Sequence, residues 1–327
     1  MVCLISAPSC IQPEEENMCA RLKMLVCFSC LVLAIGGAGF FSIAQEHHKL
    51  DANTIATASG SKATTTKDGI VRIAWARTDV PVTVDGMPLK PFAGLGSWAA
   101  FTPAPHGVMA MGDTVVFEDE VTPAMDAAFA SGLEVTALHN HFFHDDPKVY
   151  FMHIGGQGEP EKLATAVKGV WEAIKKVRSE HATPSKLFAG DIPKEGKIDS
   201  SAIEKILGHK SETQQGVVKV TIGREGLMHG VKVGGSMGLT TWAAFSGSDE
   251  LAAVDGDFIM TAEEVQPVLR ALRKGSIHIV ALHNHMIGEQ PVFYFTHFWG
   301  KGRAEDLAQG LRFALDTQKQ TGEKKGH

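Results

Sequence analysis

The 327-residue chain is 44% hydrophobic and 21% charged, a globular composition that excludes disorder as the default and leaves room for two domains. Its 31 basic and 37 acidic residues give a formal net charge of −6. No basic run or basic-aromatic stripe is present to hold a phosphate backbone, which argues against nucleic acid as a partner.

In chain order, Arg21 and Lys23 precede the apolar stretch Leu25 to Ile35, and Ser42-Ile43-Ala44 precedes Gln45, which reads as an export signal over residues 1–44. The acidic run Glu14-Glu15-Glu16 fits such a signal poorly and points to Met18 as the true start. An uncleaved anchor is the alternative, because Leu25 to Ala44 is uncharged over a bilayer-spanning length. The glycines at 36, 37 and 39 and the small-x-small end favour cleavage, and with it a periplasmic or extracellular protein without a stable membrane anchor. Cys3, Cys10, Cys19, Cys27 and Cys30 all lie upstream of Ala44, so the mature chain would hold no thiol. His, Asp and Glu are then its strong metal ligands.

Beyond the signal, Val71 to Trp75, Thr114 to Phe117, Leu133 to His141, Val149 to Ile154 and Val217 to Ile222 read as strands. A short helix follows Thr122-Pro123 and stops at Ser131-Gly132, whereas Pro267 obscures the start of its counterpart. Over Glu161 to Val177, residues Leu163, Ala166, Val167, Val170, Trp171, Ile174 and Val177 share one helical face, with Pro160 suited to the first turn. Leu307, Leu311, Ala314 and Leu315 give the matching stripe later in the chain.

A shift of 144 residues aligns Trp98-Ala99-Ala100-Phe101 with Trp242-Ala243-Ala244-Phe245, Gly112-Asp113 with Gly256-Asp257, Glu120 with Glu264 and Ala137-Leu138-His139-Asn140-His141 with Ala281 to His285. Upstream the shift widens, so that Leu50-Asp51 meets Ile198-Asp199, Gly60 meets Gly208 and Arg77 meets Arg224. This is a tandem duplication: residues 45–178 form a first unit, 179–197 a linker and 198–327 a second unit with a polar tail. The expected fold class is α+β, with two related units, each an antiparallel sheet with helices packed on one face.

The repeated pattern H-x-H-x3-[D/E]-x-P-x2-Y-F-x-H carries His139, His141, Asp145 and His153, then His283, His285, Glu289 and His297. Residues i and i+2 of a strand share a face, so a hairpin that sets His139 near His153 would gather three imidazoles with a carboxylate at the turn. That donor set suits a divalent transition metal: zinc first, with iron, manganese or nickel as alternatives. Inert hydrogen-bonded sheet histidines are the competing reading. Trp98 and Trp242 read as core anchors. The repeated Asp113, Asp257, Glu120 and Glu264 serve either as turns and caps or as hydrogen-bond partners of ligating imidazoles. The glycines at 155, 156 and 158, and at 300 and 302, read as tight strand-to-helix turns before an anion site. Gly234-Gly235-Ser236-Met237-Gly238 spells G-x-S-x-G without the helix that a nucleophile elbow requires.

On the segments V-T-A-L-H-N-H and I-V-A-L-H-N-H, P-x-x-Y-F-x-H and the following G-x-G, the chain resembles a bacterial family of exported proteins related to the lipoproteins LppY and LpqO. The resemblance covers most of residues 50–320 and implies export and a two-unit architecture without naming a reaction. The H-x-H-x3-E spelling is also similar to the metal motif of cupins, over that motif alone. Three functions follow as expectations: an exported metalloenzyme acting on a small-molecule substrate, a non-catalytic metal- or ligand-binding module, and a structural exported protein with no metal.

Overall fold

The computed structural model describes residues 50–323, whose elements fall into two matching series. The first runs α1 (Ala52–Ser59), β1 (Ala63–Thr65), β2 (Val71–Ala76), β3 (Thr83–Val84), β4 (Met87–Pro88), β5 (Gly96–Ala104), β6 (Gly107–Phe117), α2 (Val121–Ala130), β7 (Glu134–Asn140), β8 (Asp145–Asp146), β9 (Val149–Gly158) and α3 (Pro160–Glu180). The second runs α4 (Ser200–Leu207), β10 (Ser211–Gln214), β11 (Val217–Gly223), β12 (Gly226–Met228), β13 (Val231–Val233), β14 (Thr240–Gly247), β15 (Ala252–Thr261), α5 (Ala262–Lys274), β16 (His278–His283), β17 (Glu289–Gln290), β18 (Phe293–Gly302) and α6 (Ala304–Glu323).

Matching sequence signals begin and end the matching helices. Asp51 and Asp199 each accept a hydrogen bond from the backbone two residues on, opening α1 and α4, and Gly60 and Gly208 close them in the left-handed conformation. Pro160 occupies the first turn of α3 as its sequence predicts. Pro267 lies inside α5, whose start is fixed by a capping box between Thr261 and Glu264.

The architecture is mixed α/β around one twelve-stranded sheet, ordered β1-β2-β5-β6-β9-β7-β16-β18-β15-β14-β11-β10. Every neighbouring pair is antiparallel, and the halves join through β7 and β16, where Leu138 pairs with Leu282. The short sheets β4-β3-β8 and β13-β12-β17 lie outside it.

Alternate residues of each strand enter different cores, as a side-chain period of two requires. Met152 and Ile154 of β9 join the main apolar cluster, which draws residues from all six helices and from both halves of the sheet. Val149 and Phe151 of β9 instead join a smaller cluster with Val80, Val82, Leu95, Val115 and Phe117, and Leu239, Ile259, Phe293 and Phe295 form its counterpart. Neither smaller cluster contains a helical residue.

Trp98 and Trp242 depart from their expected role. Both are half-buried, beneath Arg72 and Lys219 at 4.5 and 4.3 Å from the ring centroids, while the fully buried aromatics of the W-A-A-F segments are Phe101 and Phe245. The repeated glutamates are ion-pair partners. Arg77, 1% exposed, donates from Nη1 and Nη2 to the Glu120 carboxylate at 2.8 Å each, and Glu120 also accepts from the Phe117 N–H. Arg224 makes the corresponding fork to Glu264.

The segment between the halves is tied down: Lys301 Nζ donates to the carbonyls of Phe188 and Gly190, and the Phe188 ring stacks on His278 at 4.0 Å. Burial, helped by Arg273, holds His278 down at about 4, with Thr122 Oγ1 2.8 Å from its Nδ1.

Glu120→Ala leaves the buried Arg77 guanidinium with Asp79 as its remaining carboxylate partner and is expected to cost about 2–3 kcal/mol in urea unfolding. Glu264→Ala should cost less, because the Arg224 side chain is 29% exposed. Because His278 titrates lower in the folded chain than the ordinary 6.5 of an unfolded one, its contribution to stability is present above pH 6.5 and lost as pH falls toward 4. An NMR titration of its ring should show the low midpoint, and His278→Gln should flatten the pH dependence of unfolding in that window.

Candidate metal centre

Four of the six repeated histidines occupy one parity of the central strands. His153 of β9 lies opposite Asp113 of β6 and Ala137 of β7, while His139 lies opposite Phe151. In the second half His297 of β18 lies opposite Asp257 of β15 and Ala281 of β16, and His283 lies opposite Phe295. The hairpin register therefore sets the first and third imidazoles on a diagonal, within reach of each other. The Nε2 atoms of His139 and His153 are 3.1 Å apart. The second imidazole of each pair falls just past its strand and lies flat on a phenylalanine: His141 on Phe151 at 3.3 Å between centroids and His285 on Phe295 at 3.5 Å.

The second half draws four ligand atoms together. One from each of Asp257, His283, His285 and His297 lies within 4.8 Å of all the others. Asp257 Oδ2 is 3.2 Å from His285 Nε2, whereas Asp257 Oδ1 is buried without a hydrogen-bond partner. Backbone carbonyls orient the other rings. His297 Nδ1 is 3.1 Å from the Gly256 oxygen and His283 Nδ1 is 3.4 Å from that of Asn284. A carbonyl only accepts, so the Nδ1–H donates and Nε2 keeps its lone pair for a metal.

The first half sets Asp113, His139, His141 and His153 at the corresponding positions, but among the described residues only the second-half group has its four ligand atoms within 4.8 Å of one another. His153 Nε2 is 3.9 Å from Asp113 Oδ1, which is likewise buried without a partner, and His139 Nδ1 faces the Asn140 carbonyl at 3.3 Å. Burial pushes the Asp113 carboxyl up, against the pull of the three histidines. Burial pushes His141 and His285 down, helped at His141 by its histidine neighbours and opposed at His285 by Asp257. Neutral imidazole is the ligating form.

Asp145 and Glu289 take a different place from the one expected of them. Asp145 accepts from the Val149 N–H at 2.7 Å and pairs with Lys148, and Glu289 accepts from the Phe293 N–H at 3.0 Å. Both carboxylates brace the approach to the third-histidine strand. The carboxylates beside the imidazoles are Asp113 and Asp257, and the repeated Gly-Asp dipeptide was their signal. A side chain at Gly256 would run into the Trp242 carbonyl and the Phe298 ring, and one at Gly112 would sit 2.9 Å from the Trp98 carbonyl oxygen. The glycines let the neighbouring strands close on the aspartates.

A family model described as "Domain of Unknown Function (DUF1259)" matches residues 53–173 and again residues 201–317. The chain belongs to this family. No curated protein matches. Among solved structures, the trimeric bacterial microcompartment shell protein PduB is 8% identical, with 81% of this chain and 93% of that one covered at a TM-score of 0.19. EtuB from Clostridium kluyveri is 11% identical, covering 80% and 92% at 0.20. Ethanolamine utilization protein EutL from Leptotrichia buccalis C-1013-b is 10% identical, covering 69% and 87% at 0.19. Scores of this size transfer neither fold nor assembly.

These findings correct several expectations. Family membership is DUF1259 in place of the LppY/LpqO-like lipoproteins. The solved structures matched are described as shell proteins, none as an exported metalloenzyme, and the metalloenzyme reading and the periplasmic or extracellular placement are not carried further. The expected export signal and cleavage site fall outside the described residues. Among the described residues no helix is long and apolar enough to cross a membrane.

Gly256→Ala tests the role assigned to the glycines. It should destabilise the fold by about 1–3 kcal/mol or more through overpacking, and by more than Gly112→Ala, as read by denaturant midpoints on the two variants.

Proposed function

We propose that the chain is a non-catalytic metal-binding module whose two halves each hold one divalent transition ion, the first on Asp113, His139, His141 and His153, the second on Asp257, His283, His285 and His297. The convergence of the second group within 4.8 Å carries the reading. Two buried carboxylate oxygens without partners, Asp113 Oδ1 and Asp257 Oδ1, support it, because such groups are costly unless a cation or donor meets them. Three neutral nitrogens and one oxygen suit zinc first, then iron, manganese or nickel. On this reading the helices occupy one face of the sheet, and the opposite face carries the ions beside the two smaller apolar clusters. The side chains against the imidazoles include Phe142, Phe151, Phe295, Asp113 and Asp257, none of which supplies a nucleophile or an acid separate from the ligand set.

Elemental analysis of untagged protein should find two ions per chain, one in His141→Ala or His285→Ala, and none in the double variant. Asp257→Asn should weaken the second site by about tenfold or more. Wild-type protein that is metal-free and cannot be reconstituted with zinc, iron, manganese or nickel would overturn the proposal.

A further inference from the structure

Both halves and the segment that links them enclose a cavity of about 150 Å3. One wall is the turn leading into α2, with Glu118 and Asp119; a second is Tyr150 of β9 with Ile279 and Val280 of β16; a third is Leu187 and Phe188 of the linking segment. Hydrogen bonds and a ring stack fix these walls in place. The Ser185 N–H donates to Asp119 Oδ2 at 2.9 Å, Arg178 pairs with the same carboxylate, and Phe188 is held by its stack on His278 and by Lys301. Tyr150 shares the parity of Met152 and packs against the main apolar cluster, so the cavity lies on the side of the sheet away from His153.

The polar groups around this cavity lack donors. Among the described residues the half-buried Glu118 carboxylate and the Tyr150 hydroxyl have no hydrogen-bond or ion-pair partner, and Asp119 Oδ1 is buried without one. The neighbouring ammonium groups are engaged elsewhere, Lys148 with Asp145 at 3.0 Å and the 77% exposed Lys186 with Asp146 at 3.5 Å. A carboxylate withdrawn from water is costly without a donor, and a cation that brings N–H groups relieves that cost. Leu187, Phe188 and Ile279 make much of the remaining lining apolar, and the volume suits a body of about six carbons. We propose that the cavity is a binding site for a small primary amine with a ring-sized apolar body, its ammonium group received by Glu118 and its body set against Phe188 and Ile279. The 144-residue shift matches Glu118 with Ala262 in the first turn of α5, so the receiving carboxylate is not part of the duplicated pattern. This site stands independently of the metal-binding reading.

Benzylamine and cyclohexylamine are the probes, titrated into the full chain at neutral pH, where both are cations, and followed by NMR chemical shifts. Shifts should centre on Thr122, Tyr150 and Phe188. Both amines should bind about tenfold or more tightly than benzyl alcohol and benzoate, which is the contribution of one charge-assisted hydrogen bond. Glu118→Gln should remove that preference and Glu118→Lys should reverse it in favour of benzoate, with circular dichroism unchanged in each. The His141→Ala/His285→Ala variant should bind the amines as the wild type does, which distinguishes this site from amine ligation at a metal. Absence of shifts at these residues with millimolar amine, equal binding of benzyl alcohol by the wild type, a preference that neither Glu118 variant alters, or binding lost with the two histidines would each overturn the inference and leave the metal-binding reading to its own test.

Discussion

The pairing of β7 with β16 sets the geometry on which the histidine face depends. Leu138 and Leu282 meet at this seam, both on the side of the main apolar cluster, and their parity sends His139 and His283 to the other side. A slip of one residue would exchange buried leucines for imidazoles, which the packed cluster forbids. From that pair outward the order of strands fixes the rest. Each third histidine lies one strand away from the seam on β9 or β18, and each aspartate one strand further on β6 or β15. His153 and His297 are three strand spacings apart, about 14 Å at roughly 4.8 Å per strand.

The ligands are spread over the chain as this topology demands. Asp113 and His153 are forty residues apart, yet they are opposite partners in adjacent strands. Between them runs α2, whose N-terminal Glu120 anchors Arg77 and thereby the loop carrying Val80 and Val82. The buried ion pair and the small apolar cluster hold down the loop around the site, with Leu89 and Phe142 packed against the same cluster.

Much of this was written in the sequence. The 144-residue repeat, the strand parity of His139 and His283, and the α3 stripe with its leading proline all correspond to observed elements. α1 and α4 were legible only as the matched residues Asp51 and Asp199, Gly60 and Gly208, which are their caps. At eight residues each, they give too little periodicity to be seen from apolar spacing alone. The carboxylates that the sheet sets beside the imidazoles differ from the expected pair for a different reason. Local spacing offered Asp145 and Glu289, close in sequence to the histidines, whereas the sheet supplies Asp113 and Asp257 by long-range pairing that no short motif encodes. Trp98 and Trp242 were read as core because tryptophan is large and apolar. Their parity with Asp113 and Asp257 sets them on the histidine face.

The flat stacking of His141 on Phe151 and of His285 on Phe295 bears on how an ion would be received. An imidazole at the end of a strand ordinarily has two soft torsions and would lose that freedom on coordination. Here a phenyl ring already confines the plane of each ring before any ion arrives, so little ordering entropy remains to be lost. A receptor built in this way does not gather its ligands around a guest. It presents them at fixed spacing, and ionic radius and preferred coordination angles become the criteria for entry, much as a rigid macrocycle discriminates among cations that a floppy chelator would accept alike.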